Sequence, residues 1–223
     1  MVTTPRPEIS NRVKDQLIWD NRVRASDVDV TVQDGTAILT GTVPSYRAKI
    51  AATEDAWSVM GITNVDNRLR VQYPPMITAP TDSELMSSVN SSLTLDPDID
   101  ASKIDVMVSE GIVTLRGTVD SLWKKFQAAS DAYSSVGVID VINEIAVVVT
   151  DRPVDEMIAR NIEAAFDRNV NINPDNITVT VANGIVTLSG TVPNWSSWRS
   201  AYNTAVYTAG VTDVIDELTI SYI

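Results

Sequence analysis

Residues 34–43 read Asp-Gly-Thr-Ala-Ile-Leu-Thr-Gly-Thr-Val, and closely similar stretches stand at residues 110–119 and 183–192. All nine glycines of the chain fall into one pattern that occurs three times with the same internal spacings. They are Gly35, Gly41, Gly61, Gly111, Gly117, Gly137, Gly184, Gly190 and Gly210. Adding 76 or 149 to a position in the first copy gives the equivalent position in the second or third copy without a gap. This regularity indicates three tandem copies of one structural unit.

The residues around this stretch predict the order of helices and strands. Before it, apolar residues at every fourth position of 9–17 mark one helix face, and valines at every second position of 28–32 mark a half-buried strand. Asp34-Gly35 predicts a two-residue hairpin turn. After it, Ser45 is a cap-type residue for a second helix, and Val65 begins a third strand. The fold class is therefore α+β: each copy is an αββαβ unit, a three-stranded mixed sheet with both helices on one face.

The glycines of each copy have three expected structural roles. Gly35 supplies the positive φ of the hairpin turn. Gly41 is expected on the core face of the second strand, where a missing side chain lets the second helix approach with Ala52 and Ala56. Gly61 is expected to end that helix in the left-handed conformation. The same roles are predicted for the equivalent glycines of the other two copies.

The predicted domains are residues 1–73 (copy one), 81–149 (copy two) and 154–223 (copy three). The first linker is rich in proline and fairly stiff, whereas the second is shorter. Copies two and three are therefore expected to be held closer together than copies one and two. Limited proteolysis tests this, since the first linker is expected to be cut first.

Composition excludes several classes of function. The chain has no cysteine and no histidine, which removes disulfides, thiolate and imidazole metal sites, and Ser-His catalysis. No acidic pair forms an acid/base couple, and no glycine spacing matches a phosphate or dinucleotide loop, so we expect no enzyme and no cofactor. A net charge of −12 makes nucleic acid a poor partner. No apolar run is long enough to span a bilayer, and the first residues do not form an export signal.

The pattern resembles the BON domain, named for bacterial osmotically inducible and nodulation proteins. The resemblance rests on the αββαβ order, on the stretches Asp34 to Val43 and Gly184 to Val192, and on the later Gly-x-x-x-Val, and it covers the chain three times. It implies a non-enzymatic protein of the osmotic or envelope stress response. Several members of the family bind phospholipid, and a cytoplasmic relative binds potassium. The motifs are specific for the fold and only weakly informative about activity, because the matching positions are turn and core residues.

Uneven charge favours copy one for contact with an anionic membrane. Residues 8–73 carry eight basic against nine acidic residues, whereas residues 81–149 carry four against eleven. Arginines and lysines could meet lipid headgroups while aromatic rings enter the interface. The candidate lipid-binding residues are Arg22, Arg24, Arg47, Lys49, Trp19 and Trp57, with Tyr46, Arg68 and Arg70 nearby. The alternative is that the charges form a solvated face and the aromatics cover the local core.

An acidic loop in copy two is the candidate metal site. Asp96, Asp98 and Asp100 alternate between the first helix and the first strand. The loop does not match a calcium-binding hand, because Ala101 and Met107 stand where glycine and glutamate are required. A structural loop is the favoured interpretation and ion binding is the alternative, which calorimetric titration with calcium or potassium separates.

Three tryptophans fall in the opening turns of second helices: Trp123, Trp195 and Trp198. They predict either an exposed aromatic surface that binds a partner or another copy, or packing on a neighbouring strand.

The leading hypothesis is a non-enzymatic binding or scaffolding protein that contacts phospholipid or protein partners. The alternative is a cytoplasmic ion-responsive or self-assembling module, and the compartment stays open between cytoplasm and periplasm.

Overall fold

The computed structural model describes residues 6–74, 78–150 and 153–222, with the side chains of residues 6 and 7 left out. The chain divides into two compact units, residues 1–92, 107–114 and 131–142, and residues 93–106, 115–130 and 143–223. Each unit holds one whole terminal copy, and the residues of copy two are divided between the units.

Each copy follows the predicted order of helix, strand, strand, helix, strand. In copy one the elements are α1 (Arg6–Trp19), β1 (Val28–Gln33), β2 (Thr36–Val43), α2 (Tyr46–Ser58), β3 (Asn64–Asn67) and β4 (Arg70–Val71). In copy two they are α3 (Asp82–Leu95), β5 (Ile104–Ser109), β6 (Ile112–Val119), α4 (Leu122–Tyr133) and β7 (Asp140–Val147). In copy three they are α5 (Asp155–Phe166), β8 (Ile177–Ala182), β9 (Ile185–Val192), α6 (Trp195–Tyr207) and β10 (Asp213–Ile220).

The sheets are mixed, which confirms the predicted fold class. The second strand of each copy is central: β2 is antiparallel to β1 and parallel to β3 and β4, and β9 is antiparallel to β8 and parallel to β10. Copy two has the same order, β5-β6-β7. In copy one alone, the third strand is interrupted, between Asn67 and Arg70.

The hairpin turns are confirmed by the backbone. Asp34, Glu110 and Asn183 have φ angles of 47°, 53° and 56°, and the glycines that follow them have 79°, 76° and 76°. Positive φ at both central residues defines the turn whose twist matches the flanking strands. In copies two and three, an aspartate at the start of the first helix, Asp82 or Asp155, accepts hydrogen bonds from both amides of this turn at 2.7–3.0 Å.

The reason for Gly41 differs from the one predicted. Gly41 is exposed and has φ +110°, and a Cβ added there would lie 2.1 Å from the carbonyl oxygen of Asp27. The obstacle is thus the backbone that enters β1, and the predicted close approach of the second helix is wrong as the cause. A Cβ added at Gly117 would lie 1.9 Å from the carbonyl oxygen of Lys103, and one added at Gly190 would lie 2.1 Å from that of Asn176.

The expectation that Gly61 ends the second helix is also wrong. The helix already ends at Val59, whose backbone is extended, and Gly61 follows with φ +100°. A Cβ on Gly61 would lie 3.1 Å from Cδ1 of Ile9 on the first helix. A Cβ added at Gly137 or Gly210 would meet the ring of a proline that precedes the first helix of its copy, Pro80 or Pro153. This glycine therefore makes room for the first helix and the residues leading into it.

The helices pack on one face of each sheet, and the predicted alanines lie at that seam. In copy one, Ala52 and Ala56 are fully buried, together with Val13 and Leu17 of α1 and Leu39 of β2. Ser45 caps α2 as predicted, since its side chain accepts a hydrogen bond from Ala48 N, and Asn194 caps α6 in the same way through Ser197 N. Among the described residues, no helix is both long and apolar enough to cross a bilayer.

Candidate functional site

The C-terminal end of α1 exposes a pair of apolar side chains. Ile18 is 67% exposed and Trp19 is 78% exposed, whereas the preceding Leu17 is buried. Arg22 and Arg24 follow in the loop and are more than half exposed. We call Ile18, Trp19, Arg22 and Arg24 the Trp19 patch. It brings together three of the six residues predicted to bind lipid.

The arginines of the Trp19 patch are already paired with acids. Arg22 makes a two-pronged ion pair with Asp20, with Nη2 2.6 Å from Oδ2. The hydrogen bonds from Arg22 lower the pKa of Asp20, although burial opposes them. Arg24 lies 3.9 Å from Asp27, a weak pair on the surface. The patch is therefore close to neutral, and its apolar side chains are its distinguishing feature.

A second carboxyl group lies behind this ion pair. Asp55 of α2 is buried, at 7% exposure, and its Oδ1 accepts a hydrogen bond from Gln16 at 3.3 Å. Burial raises the pKa of Asp55, and the negative charge of Asp20 raises it further. The hydrogen bond from Gln16 to Asp55 joins the C-terminal half of α1 to the C-terminal half of α2.

The other predicted lipid-binding residues lie elsewhere. Arg47 and Lys49 are at the start of α2, and the eight residues from Arg47 to Asp55 correspond to about 12 Å along the helix. Lys49 lies over the ring of Tyr46, 5.9 Å from its centroid. Trp57 is half-buried and packs against the core of copy one, so its indole belongs to the fold. Nearby, Arg68 is paired with Asp66.

The acidic loop of copy two uses its carboxylates locally. Asp96 accepts hydrogen bonds from the Asp98 amide and from the Gln127 side chain, at 2.8 and 2.9 Å. Asp100 accepts from Ser102, and with Lys103 this lowers the pKa of Asp100. In the described part of the chain, no three acidic side chains are grouped as metal ligands. Ion binding by this loop stays a prediction.

The three tryptophans have different surroundings. Trp123 packs against the core of copy three, together with Leu122, which is only 2% exposed. Trp195, Trp198 and Tyr202 form a ladder of stacked rings with centroids 4.3 and 5.1 Å apart. Trp198 also packs on the core of copy three.

One polar side chain ties the third strand to the second helix in every copy, which the sequence pattern did not reveal. Asn67 donates a hydrogen bond to the carbonyl of Lys49 at 2.9 Å and accepts one from the amide of Leu69. Asn143 and Asp216 stand at the equivalent positions and reach the equivalent residues of their own second helices. A comparison of the three copies at this position would have indicated it.

Sequence reasoning also missed two tyrosines of copy one that contact copy two. The Tyr73 hydroxyl donates to the carbonyl of Val138 and accepts from the amide of Gly137, both at 2.9 Å. The ring of Tyr46 lies 6.0 Å from that of Tyr133. Burial raises the pKa of Tyr46 to about 12, and nearby Asp140 contributes. Contacts thus join copy one to copy two, and copy two to copy three, and which linker a protease cuts first stays a prediction.

The BON domain family model matches residues 6–73, 81–149 and 154–222, nearly the whole chain. The chain belongs to the BON domain family. This BON protein is similar to osmotically-inducible protein Y of Escherichia coli (strain K12), with 27% identity over 140 residues, 61% of this chain and 70% of that protein. It is also 33% identical over 119 residues to an "uncharacterized protein in gshII 5'region" of Anaplasma centrale, over 51% of this chain and 79% of that protein.

Among solved structures, the BON protein is similar to the C-terminal domain of CdsD, a structural protein of the type III secretion system of Chlamydia trachomatis. The match covers 98% of this chain and 100% of that chain, with 15% identity and a TM-score of 0.27. A score this low supports no argument about this chain. The name of the Escherichia coli relative describes an osmotically inducible protein and names no reaction.

Proposed function

We propose that this BON protein is a non-enzymatic binding protein of the osmotic or envelope stress response, and that copy one contacts an anionic phospholipid surface through the Trp19 patch. The observation that supports the lipid contact is the exposure of Ile18 and Trp19 beside two arginines. The stress role is supported by family membership and by the relative named as osmotically inducible.

Insertion of apolar side chains is the larger contribution to this contact. Moving a large apolar side chain out of water stabilises by about 1.5–3 kcal/mol. An arginine near an anionic surface contributes about 1 kcal/mol, and the pairing of Arg22 with Asp20 and of Arg24 with Asp27 reduces that further. The net charge of −12 opposes approach by the rest of the chain. We therefore expect the loss of the Trp19 side chain to weaken binding to vesicles more than an increase in salt concentration does.

Sedimentation with vesicles of mixed phosphatidylcholine and phosphatidylglycerol tests the proposal. Trp19→Ala is expected to weaken binding by about tenfold or more, as 1.4 kcal/mol corresponds to tenfold. Leu95→Ala is the matched control, because Leu95 is the equivalent last residue of α3 and is 82% exposed in the acidic copy two. Equal binding by Trp19→Ala and the unchanged chain, or an equal loss in Leu95→Ala, would refute the role of the patch.

A further inference from the structure

Copies one and two each place the same face on the copy that follows. This donor face consists of the start of the second helix and the end of the third-strand segment. In copy one it carries Tyr46 and Tyr73, which contact copy two. In copy two it carries Leu122, at the position equivalent to Tyr46, which belongs to one buried cluster with the core residues of copy three. Val147 packs against that cluster.

The receiving side is also the same at both junctions. This acceptor face consists of the end of the second helix and the residues leading into the third strand. In copy two it carries Tyr133, Gly137, Val138 and Asp140, which surround the two tyrosines of copy one. In copy three the equivalent positions include Val206 and Val211, which share one buried cluster with Leu122.

Copy three carries a donor face of the aromatic type seen in copy one. Trp195 is equivalent to Tyr46 and Tyr222 is equivalent to Tyr73. Trp195 is half-buried and is held in position by its stacking on Trp198. A fixed aromatic ring loses little conformational entropy on binding, which favours it as an interface residue.

Copy one carries the matching acceptor face. Trp57 is equivalent to Tyr133, and Asn64 is equivalent to Asp140. Gly61 and Ile62 are equivalent to Gly137 and Val138, which bond the Tyr73 hydroxyl. Asn64 is exposed. We propose that the donor face of copy three docks on the acceptor face of copy one in a second molecule of this chain, as copy one docks on copy two.

Charge favours copy one as the occupant. Residues 151–223 carry four basic against nine acidic residues, so copy three repels another acidic copy, whereas residues 8–73 carry eight against nine. A contact between two different faces is heterologous, so it continues from molecule to molecule into a ring or a filament. One domain-sized junction supports weak association, with a Kd in the micromolar range or above.

Sedimentation equilibrium of the full chain, without lipid, tests the proposal at concentrations up to about 1 mM. The mass of the unchanged chain is expected to rise above 24.3 kDa with concentration. Trp195→Arg removes the aromatic ring of the donor face. Asn64→Glu adds a negative charge to the acceptor face, which the acidic copy three repels. Each variant alone is expected to stay at the mass of one chain. Mixed together, the two variants retain one intact face each and are expected to form a dimer and nothing larger.

Val170→Arg is the matched control, because Val170 is 98% exposed in copy three and lies on neither face. It is expected to associate like the unchanged chain. Tyr222→Arg is a second donor variant, placed after β10 and outside the helices, should Trp195→Arg fail to fold. A constant mass of 24.3 kDa for the unchanged chain, association of a face variant alone, or a mixture that stays at one chain overturns the proposal.

Discussion

Replacing Gly41 by alanine should strongly destabilise copy one, because the new methyl group would collide with a backbone carbonyl. The added Cβ would lie 2.1 Å from the oxygen of Asp27, whereas real Cβ atoms essentially never approach within 3.0 Å of another heavy atom. The carbonyl would have to retreat by about 1 Å. It directly precedes Val28, which is the partner of Gly41 in the β1–β2 register and is buried in the core.

Two contributions set the magnitude. A residue with a side chain held at φ +110° costs about 1–3 kcal/mol. The displaced strand end loses one or two hydrogen bonds at about 1 kcal/mol each. The expected loss is therefore about 2–5 kcal/mol, and its upper end equals the whole free energy of unfolding of a marginally stable domain. Gly61→Ala is the control, because its φ is +100° but its Cβ meets only the flexible end of Ile9 at 3.1 Å, so we expect about 1–3 kcal/mol.

Urea unfolding of the full chain, read by hydrogen exchange of residues 28–43, measures both variants, with the equivalent strands of copies two and three as internal references. Adding Ala52→Gly to Gly41→Ala separates the two explanations of the glycine. If Gly41 makes room for the second helix, the added substitution should restore part of the lost free energy of unfolding. If Gly41 avoids a collision with the Asp27 carbonyl, the added substitution should restore none of it. Recovery, or equal losses in Gly41→Ala and Gly61→Ala, would refute the reasoning.

Two further substitutions test the polar contacts of copy one. Burial raises the pKa of Asp55, so its contribution to stability is present at low pH and is lost as the pH rises through the raised value. Asp55→Asn is expected to raise the free energy of unfolding at pH 7 by about 1.4 kcal/mol for each pH unit by which the pKa of Asp55 is raised. Below about pH 3 the substitution is expected to change the free energy of unfolding little. Urea unfolding at several pH values measures this, and a lower free energy of unfolding at pH 7 would contradict it. Tyr73→Phe removes the hydroxyl that accepts a hydrogen bond from the Gly137 amide. Hydrogen exchange of that amide should accelerate about fivefold, as expected for the loss of a hydrogen bond with a net value of about 1 kcal/mol. An unchanged exchange rate would show that this contact does not stabilise the junction between copies one and two.

The candidate site could be predicted only in part. Counting charges selected copy one, where Trp19, Arg22 and Arg24 stand within six residues of one another, and lipid binding by these residues stays a prediction. Counting could not show that Arg22 is paired with Asp20, or that Trp57 packs on the core. Both facts depend on which side chains neighbouring elements place within a few ångströms, and sequence spacing does not encode that.

The sequence by itself determined the order of elements and the turns, because period and glycine position are local properties that a single chain segment expresses. Only the tertiary structure decided why Gly41 and Gly61 are glycines, since the atoms that exclude a side chain come from Asp27 and Ile9, which are distant in the chain. It also decided how the copies meet. The contacts of Tyr73 with copy two join residues more than sixty positions apart, and they form only after each copy has folded its own helix ends and strand ends into place.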